Sequence, residues 1–407
     1  MWLTDATRGQ RRTLLAASLG WMLDSMDVLL YSMVLAHMMR DLGMKEGTAG
    51  LMASLTLGAS AVGGVIFGVV ADRFGRSRAL AASILTYSVF TAACGLSRGV
   101  LELAVFRVLL GLGMGGEWAC GAALVAETWP AEHRGKALGV VQSSWAIGYA
   151  LAAAVTALVL PRFGWRAVFF VGVLPALLVS WIQRRVPEPE QWLRSRDTVG
   201  PLDRSWGLAG VWQKAYRGNV VVAATANAAT MFAWWGLFTW IPAFLSLPVD
   251  KGGAGLDIVK TSTWIIFMQA GTWLGYVCFG FISDRIGRRI TYVGYIFTAA
   301  ALVPVYAAVR DPLILLLLGP LVGFFGTGYF SGFGAITAEI FPTVIRARAQ
   351  GLTYNLGRGI SALAPYVVGS IGAERGLGSA FLLTSGAFLL AGVVALRLPE
   401  TLGRELR

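Results

Sequence analysis

Long apolar stretches alternate with short polar segments along the whole chain. Twelve of these stretches are long enough for a spanning helix, which needs about 20 mostly apolar residues. None shows the period-2 alternation of a barrel strand, and all are longer than such strands. The pattern predicts an all-α polytopic membrane protein. The spans cover approximately residues 15–39, 48–71, 80–97, 102–128, 136–160, 167–185, 219–246, 260–283, 290–309, 312–340, 349–371 and 380–398.

The composition agrees with a membrane protein. Of the 407 residues, 56% are hydrophobic and 14% are charged, whereas soluble domains have about 25% charged residues. With cytoplasmic termini, 23 of the 34 Lys and Arg residues fall on the cytoplasmic side and 9 on the opposite side. This asymmetry follows the positive-inside rule. The net charge of +12 is therefore a topology signal that suits a lipid bilayer, and it does not indicate nucleic acid as a partner.

Cysteine and histidine are too sparse to build a chemical site. Cys94, Cys120 and Cys278 lie in three separate spans, and His37 and His133 are isolated. We expect neither a disulfide framework nor a metal site. The first apolar stretch contains two aspartates and reads as a span rather than a cleavable signal. With no nucleophile–base set and no nucleotide loop, we expect no enzyme activity and no cofactor beyond a proton as coupling ion.

The second half of the chain repeats the first at an offset of 212 residues. This predicts two pseudo-symmetric six-helix bundles at 1–185 and 218–407, joined by a cytoplasmic linker at 186–217. Such repeats are common in secondary transporters, whose substrate site lies near the bilayer midplane at the repeat interface. The repeated positions pair Gly68, Asp72, Arg73, Gly75 and Arg76 with Gly280, Asp284, Arg285, Gly287 and Arg288. They also pair Glu127, Pro130, Arg134 and Gly139 with Glu339, Pro342, Arg346 and Gly351, and Pro187-Glu188 with Pro399-Glu400.

These motifs resemble those of the major facilitator superfamily. The segment from Gly68 to Arg78, with its copy from Gly280 to Arg289, is similar to the loop signature of that superfamily. The segment Arg107–Gly116 resembles its fourth-helix motif, and the Glu127 and Pro187-Glu188 segments resemble its sugar-porter branch. The resemblance covers nearly the whole chain and implies twelve helices and secondary transport.

Two segments narrow the resemblance to symporters of acids. Leu23-Asp24-Ser25-Met26-Asp27 looks like the paired-aspartate motif of organic-acid proton symporters, and Gly115-Gly116-Glu117-Trp118 is similar to sialate and metabolite proton symporters. A carboxylate substrate is what this resemblance implies.

The repeated motif residues predict a cytoplasmic gate. A carboxylate at a helix end can bond arginines and the N-terminus of a neighbouring helix, which we expect of Asp72 and Asp284. Glu127 with Arg134, and Glu339 with Arg346, are expected to form a second layer. The alternative is that all these charges are topology anchors. The predicted gate comprises Gly68, Asp72, Arg73, Gly75, Arg76, Glu127, Arg134, Asp284, Arg285, Arg288, Glu339 and Arg346.

Ionisable residues inside spans are costly and usually mark a pathway or a coupling site. Asp27 and Arg107 reach comparable depths at about 1.5 Å per residue, so we expect them to pair and Asp27 to bind the coupled proton. Asp24 is the alternative proton site, and Glu117 is a second site or the partner of an arginine. A static ion pair is the other interpretation.

Arg358 lies about 14 Å into the eleventh span by the same rise. A bound carboxylate would satisfy its guanidinium with a two-pronged hydrogen bond; a structural pair or a gating role are the alternatives. The charges in the spans do not repeat, since Asp27, Glu117 and Arg358 correspond to Thr239, Tyr329 and Ala146. Other predicted substrate contacts are Tyr31, Gln142, Trp145, Tyr149, Asn227, Trp234, Trp235, Gln269, Tyr329, Tyr354 and Asn355.

Together these features predict a monomeric proton-coupled symporter that imports a small organic anion by alternating access across a bacterial inner membrane. The alternatives are an exporter of drugs or metabolites, a symporter of a neutral sugar or polyol, and a sensor that binds a ligand without moving it.

Overall fold

The computed structural model describes residues 6–190, 193, 212–214, 216–249, 252–341 and 343–402. Within these ranges the side chains at 72, 131–132, 134–135, 338, 343–348 and 350–351 are not described. The described residues are almost entirely helical.

The first half contains six helices among the residues that the structure describes. They are α1 (Arg8–Asp41), α2 (Glu46–Phe74), α3 (Arg76–Cys94), α4 (Val100–Thr128), α5 (Ala131–Val171) and α6 (Ala176–Arg185). The second half contains nine described helices, because several of its spans are broken. They are α7 (Arg217–Phe238), α8 (Ile241–Ser246), α9 (Ile258–Ile286), α10 (Arg288–Ala308), α11 (Pro312–Gly328), α12 (Phe330–Ile340), α13 (Thr343–Ser361), α14 (Ala364–Arg375) and α15 (Leu377–Ala395).

The breaks have local causes. Pro242 and Pro365 each stand in the first turn of the helix that follows a break, at the starts of α8 and α14. Proline is tolerated there because it lacks only an N–H that the first turn cannot use. In α5, Gly164 has φ +75°, a non-helical conformation inside one assigned helix. The turn predicted between the fifth and sixth spans is therefore this glycine kink.

The predicted spans all coincide with helix, which confirms the fold class. In the part of the chain that the structure describes, nine helical stretches are long and apolar enough to cross a membrane, one of them uniting both spans of Lys136–Arg185. The helix α3 is not among the nine, and it has buried polar residues at Ser83, Tyr87, Ser88 and Thr91.

Contacts divide the chain into two units. One contains Met1–Val34 and Leu55–Ser205, and the other contains Leu35–Ser54 and Trp206–Arg407. The end of α1 and the start of α2 therefore group with the second unit, where the Tyr366 backbone N–H donates to Ser54 Oγ at 3.1 Å. The domain boundaries expected at 185 and 217 stay a prediction.

The repeat is also present in the close packing of helices inside each unit. In the first unit a side chain at Gly63 would collide with the backbone of Leu112, so α2 and α4 touch backbone to backbone. In the second unit Gly275 meets the backbone of Phe324 in the same way, between α9 and α11. Both members of the second pair lie 212 residues after those of the first. The offset that matches the motifs therefore also matches close helix packing.

Candidate functional site

One stripe of α1 carries the polar residues of the first unit. Gly20, Asp24, Asp27 and Tyr31 are separated by four, three and four residues, and that spacing puts them on one face of a helix. Asp24 and Asp27 are each 1% exposed and Tyr31 is fully buried. The two aspartates are close enough to interact electrostatically. This stripe is the core of the candidate proton site.

The structure does not form the predicted Asp27–Arg107 ion pair. The Arg107 guanidinium instead lies over the Tyr31 ring, with its carbon 4.2 Å from the ring centroid. Its Nε and Nη1 atoms have no hydrogen-bond partner among the described residues, and neither do the two carboxylate oxygens of Asp27. Stacking on an aromatic face is a favourable arrangement for a desolvated arginine. Arg107 therefore borders the site without neutralising Asp27.

Glu117 joins the same polar core from α4. It is 1% exposed, and a Cβ added at Gly20 would lie 2.6 Å from its Oε1 atom. The carboxylate thus rests against the backbone of α1, one helical turn before Asp24. Three carboxylates are therefore buried together in the first unit, a costly arrangement that is usually functional.

Sequence reasoning missed the contribution of α3 to this core. Tyr87 is fully buried, and its phenol interacts electrostatically with Asp24, Asp27 and Glu117. Thr91 lies beside Asp27, and Cys94 is close to both Asp27 and Arg107. The signal was present as polar residues at Tyr87, Thr91 and Cys94, which have the four- and three-residue spacing of one helix face.

An aromatic cluster borders this core. The Trp21 ring centroid lies 4.7 Å from that of Trp118 and 4.6 Å from that of Trp145. Ser25 Oγ donates to the Trp145 carbonyl at 2.8 Å, which ties α1 to α5. Of the other contacts predicted on α5, Tyr149 is fully buried and Gln142 is half-buried. Trp21 thus contacts both Trp118 of the Gly-Gly-Glu-Trp segment and the predicted substrate contact Trp145.

Arg358 is the principal candidate in the second unit. It lies on α13 and is 6% exposed. Its side chain makes no hydrogen bond or ion pair with any residue that the structure describes. A buried guanidinium without a counter-charge is strongly unfavourable, so Arg358 stays a candidate for binding an anion. Of its predicted neighbours in sequence, Tyr354 is half-buried and Asn355 is exposed.

Several predicted substrate contacts in the second unit use their polar atoms to hold helices together. Asn227 Nδ2 donates to the Thr353 carbonyl at 3.1 Å, and Trp234 Nε1 donates to Thr327 Oγ1 at 3.2 Å. Tyr329 donates its hydroxyl to the Thr230 carbonyl at 3.2 Å. These bonds favour a structural role for the three side chains.

Two other predicted contacts of the second unit remain suited to a ligand. Gln269 is 3% exposed, and its Nε2 atom has no hydrogen-bond partner among the described residues. Trp235 is half-buried, with its ring edge-on to Trp234 at 4.8 Å between centroids. With Arg358 they form the set of side chains that we retain for substrate binding.

The repeated acids Glu127 and Glu339 each bind an arginine of the repeated loop motif. Glu127 pairs with Arg76, 2.9 Å from Oε1 to Nη2. Glu339 pairs with Arg288 at 3.5 Å. The two observed pairs are related by the offset of 212 and each joins helices within one unit. The side chains of Arg134 and Arg346, like that of Asp72, lie outside the described part. The pairs Glu127–Arg134 and Glu339–Arg346 therefore stay predictions.

The remaining predicted gate residues are at the helix ends. Asp284 pairs with Arg288 one turn later. Arg73 and Arg285 are exposed, and Gly68 is half-buried with open space at its Cβ position. Their role in a gate stays a prediction.

Glu188 and Glu400 are acids that bind the N-terminus of a helix far away in sequence. Glu188 accepts from the backbone N–H groups of Ser77 and Arg78 at 3.1 and 3.2 Å, at the start of α3. Glu400 accepts from the Arg288 N–H at 2.8 Å, at the start of α10. The same role predicted for Asp72 stays a prediction, because its side chain lies outside the described part, whereas Asp284 pairs with Arg288. The Pro-Glu segment that ends each half therefore caps the third span of its own half.

The glycines before these helices make room for the caps. Gly75 and Gly287 have φ of +115° and +110°, a conformation that glycine adopts readily. A Cβ at either position would also collide with the capping glutamate. The glycine and the glutamate thus act together in one capping arrangement, which occurs once in each half.

Comparison with known proteins identifies the family. The family model described as Major Facilitator Superfamily matches residues 14–255 and 254–406. The chain belongs to the Major Facilitator Superfamily. This chain is 33% identical to a probable 4-methylmuconolactone transporter of Cupriavidus pinatubonensis, over 99% of this chain and 93% of the relative. It is 31% identical to the sialic acid transporter NanX of Escherichia coli, over 95% and 93%.

A solved structure gives the same fold. The crystal structure of a D-xylose-proton symporter superposes with a TM-score of 0.77 at 20% identity, covering 97% of this chain and 99% of that one. At that identity the likeness concerns the fold alone. This major facilitator protein is therefore an integral membrane transporter and not an enzyme.

The capping glutamates of this transporter give a stability prediction. Replacing Glu400 with alanine should destabilise it by about 1–2 kcal/mol, because the first turn of α10 loses its cap. Glu188→Ala should act alike on α3, and the exposed Glu374→Ala should have little effect. Thermal unfolding in detergent measures all three, and equal melting temperatures for Glu400→Ala and the wild type would contradict the cap.

The cap also predicts a pH dependence. Burial raises the pKa of Glu400, but hydrogen bonds from the backbone of Thr401, Arg288 and Leu402 outweigh it, so that its pKa lies below the ordinary value. A lowered folded-state pKa means that the stabilisation is complete above the unfolded pKa of about 4.3 and lost as pH falls through the folded value. The difference between the wild type and Glu400→Ala should therefore be constant near neutrality and shrink below about pH 4.

Proposed function

We propose that this transporter imports a small organic anion together with a proton by alternating access. One observation carries the proposal: each unit buries an ionisable side chain of opposite sign with no ion-pair partner among the described residues. Asp27 in the first unit is 1% exposed and Arg358 in the second is 6% exposed. A proton neutralises the carboxylate, and a carboxylate substrate neutralises the guanidinium.

The two events belong together energetically. Loading an anion alone would bring net negative charge into the membrane, whereas loading an anion and a proton adds none. Arg358 offers a planar fork that matches the two oxygens of a carboxylate. Protonation of Asp27 removes a buried negative charge, whose desolvation is costly. This is the arrangement expected of electroneutral symport of a monovalent anion.

The relatives support an acid as substrate. One is named for sialic acid and another for 4-methylmuconolactone, and both match this chain over nearly its whole length. The excess of Lys and Arg on the side of the termini supports a cytoplasmic location for both termini. We propose that the protein works as a monomer in a bacterial inner membrane, with import as the direction of flux.

Flux measurements in proteoliposomes test this function. With the outside one pH unit more acidic, one proton per monovalent anion supports about tenfold accumulation, since a pH unit is about 1.36 kcal/mol. We expect sialic acid, lactate or benzoate to be taken up with acidification of the interior, and xylose to be inert. Uptake of xylose alone would favour the neutral-sugar alternative. Alkalinisation during anion flux would indicate an exporter, and binding without flux would indicate a sensor.

A further inference from the structure

Tyr87 occupies the centre of the buried carboxylates. It comes from α3, whereas Asp24 and Asp27 are on α1 and Glu117 is on α4, and its phenol interacts electrostatically with all three. Its exposed fraction is 0%. A tyrosine hydroxyl is both a donor and an acceptor, so it can bond a protonated acid and an ionised one in turn.

The hydroxyl of Tyr87 is held only weakly. It donates to the Gly20 carbonyl at 3.4 Å, long for an O–H···O bond, which is usually 2.7–2.8 Å. The same residue, Gly20, is the one against which the Glu117 carboxylate rests. The phenol and this carboxylate therefore both lie next to Gly20 of α1, which makes the carboxylate an alternative acceptor for the phenol.

The carboxylates are stacked along the membrane normal. On α1 the level of Gly20, where Glu117 lies, is about 6 Å from Asp24 and about 10 Å from Asp27 at 1.5 Å per residue. Gly20 is nearer the cytoplasmic start of α1 (Arg8) than either aspartate. Glu117 is thus the cytoplasmic end of the row, and Asp27 is the opposite end.

We propose that Tyr87 passes the coupled proton between the two aspartates and Glu117. The proton that leaves the aspartic acid binds the phenol oxygen while the phenolic proton goes to the Glu117 carboxylate. The phenol stays neutral, one O–H bond forms for each that breaks, and the charge moves from Glu117 to the aspartate. The hydroxyl then turns back to its starting position. Chains of buried acids serve as proton relays in pumps and transporters.

The surroundings of Tyr87 contain no competing base among the residues described. The ionisable groups that interact with it are Asp24, Asp27 and Glu117. Cys94 and Arg107 lie further along the same core, near Asp27. Ser83 and Thr91 lie one turn away on either side. The Ser83 hydroxyl donates to the Gly113 carbonyl and the Thr91 hydroxyl to the Tyr87 carbonyl, so both donors are already hydrogen-bonded.

The inference rests on the proposed proton coupling, and a comparison of net uptake with exchange separates the two. Tyr87→Phe keeps the ring and removes the hydroxyl. Net uptake driven by a pH gradient should fall at least about tenfold in maximal rate, within the range that positioned proton transfer contributes, with KM little changed. Exchange of internal for external anion needs no proton release, so it should continue near the wild-type rate.

Tyr306→Phe is the matched control, because Tyr306 is also buried in a span, on α10, and its hydroxyl has no hydrogen-bond partner among the described residues. It should leave both rates unchanged. If Tyr87→Phe does not purify as a folded protein, Glu117→Gln tests the same path from its other end and should show the same split between net uptake and exchange.

Three outcomes overturn the proposal. Unchanged net uptake in Tyr87→Phe means that the hydroxyl is not used. An equal loss of net uptake and exchange means that it has only a structural role. If wild-type uptake does not acidify the interior, both the proposed function and this inference are wrong. If wild-type uptake is coupled to protons and Tyr87→Phe transports like the wild type, only this inference is wrong.

Discussion

Replacing Arg358 with lysine will weaken binding of the transported carboxylate by about tenfold or more. Hydrogen bonds to charged groups contribute about 1.5–3 kcal/mol, and lysine cannot reproduce the two parallel bonds of a guanidinium. The side chain is 6% exposed and makes no bond to any described residue, so its planar fork is available for a substrate. Thermal-shift titration with the best carboxylate of the transport panel measures the change.

The control for this variant is Arg375→Lys. Arg375 ends α14 in the same unit and is exposed, so exchange of its head group should not alter affinity. Arg358→Ala should bind no better than Arg358→Lys. If Arg358→Lys binds the carboxylate as tightly as the wild type, Arg358 does not anchor the substrate, and a gating or structural role replaces that proposal.

Replacing Asp27 with asparagine will abolish accumulation of the anion while anion exchange continues. Asparagine has the shape of the protonated acid but cannot release a proton, so substrate still binds and the gradient no longer drives it. Under an inward gradient of one pH unit, the accumulation ratio should fall from about ten to about one. Because both carboxylate oxygens lack a hydrogen bond among the described residues, the substitution breaks no bond that stabilises the bundle.

Glu374→Gln is the control, since Glu374 is exposed near the end of α14. The measurement that decides between the outcomes is the effect of a protonophore on anion accumulation. If Asp27→Asn still accumulates anion and loses it when a protonophore is added, the coupling site is elsewhere, and Asp24, on the same face one turn away, becomes the next variant.

Prediction from sequence was strongest where the physics is local. A stretch of apolar residues long enough to span, the cost of an ionisable group inside it and a motif repeated at one offset can all be read without knowing which helices touch. This is why the helices, the two similar halves, and the buried state of Asp24, Asp27, Arg107, Glu117 and Arg358 could be predicted.

Prediction of side-chain contacts failed where a side chain could reach more than one partner. Asp27 and Arg107 were matched by depth, yet Arg107 stacks on Tyr31. Glu127 bonds Arg76 of another helix, a partner that distance along the sequence did not suggest. Depth and sequence distance give the position along a helix axis but not the direction around it, and successive residues turn by about 100°.

The sequence by itself determined that this is a two-fold repeated membrane transporter with few buried charges, because span length, charge asymmetry and the offset of 212 are properties of the chain alone. Only the tertiary structure decided that Glu188 and Glu400 cap α3 and α10 and that Tyr87 lies among three carboxylates. Such contacts depend on the rotation and crossing of helices far apart in sequence. Those are set by close contacts such as that of Gly63 with the backbone of Leu112, and no single segment contains them.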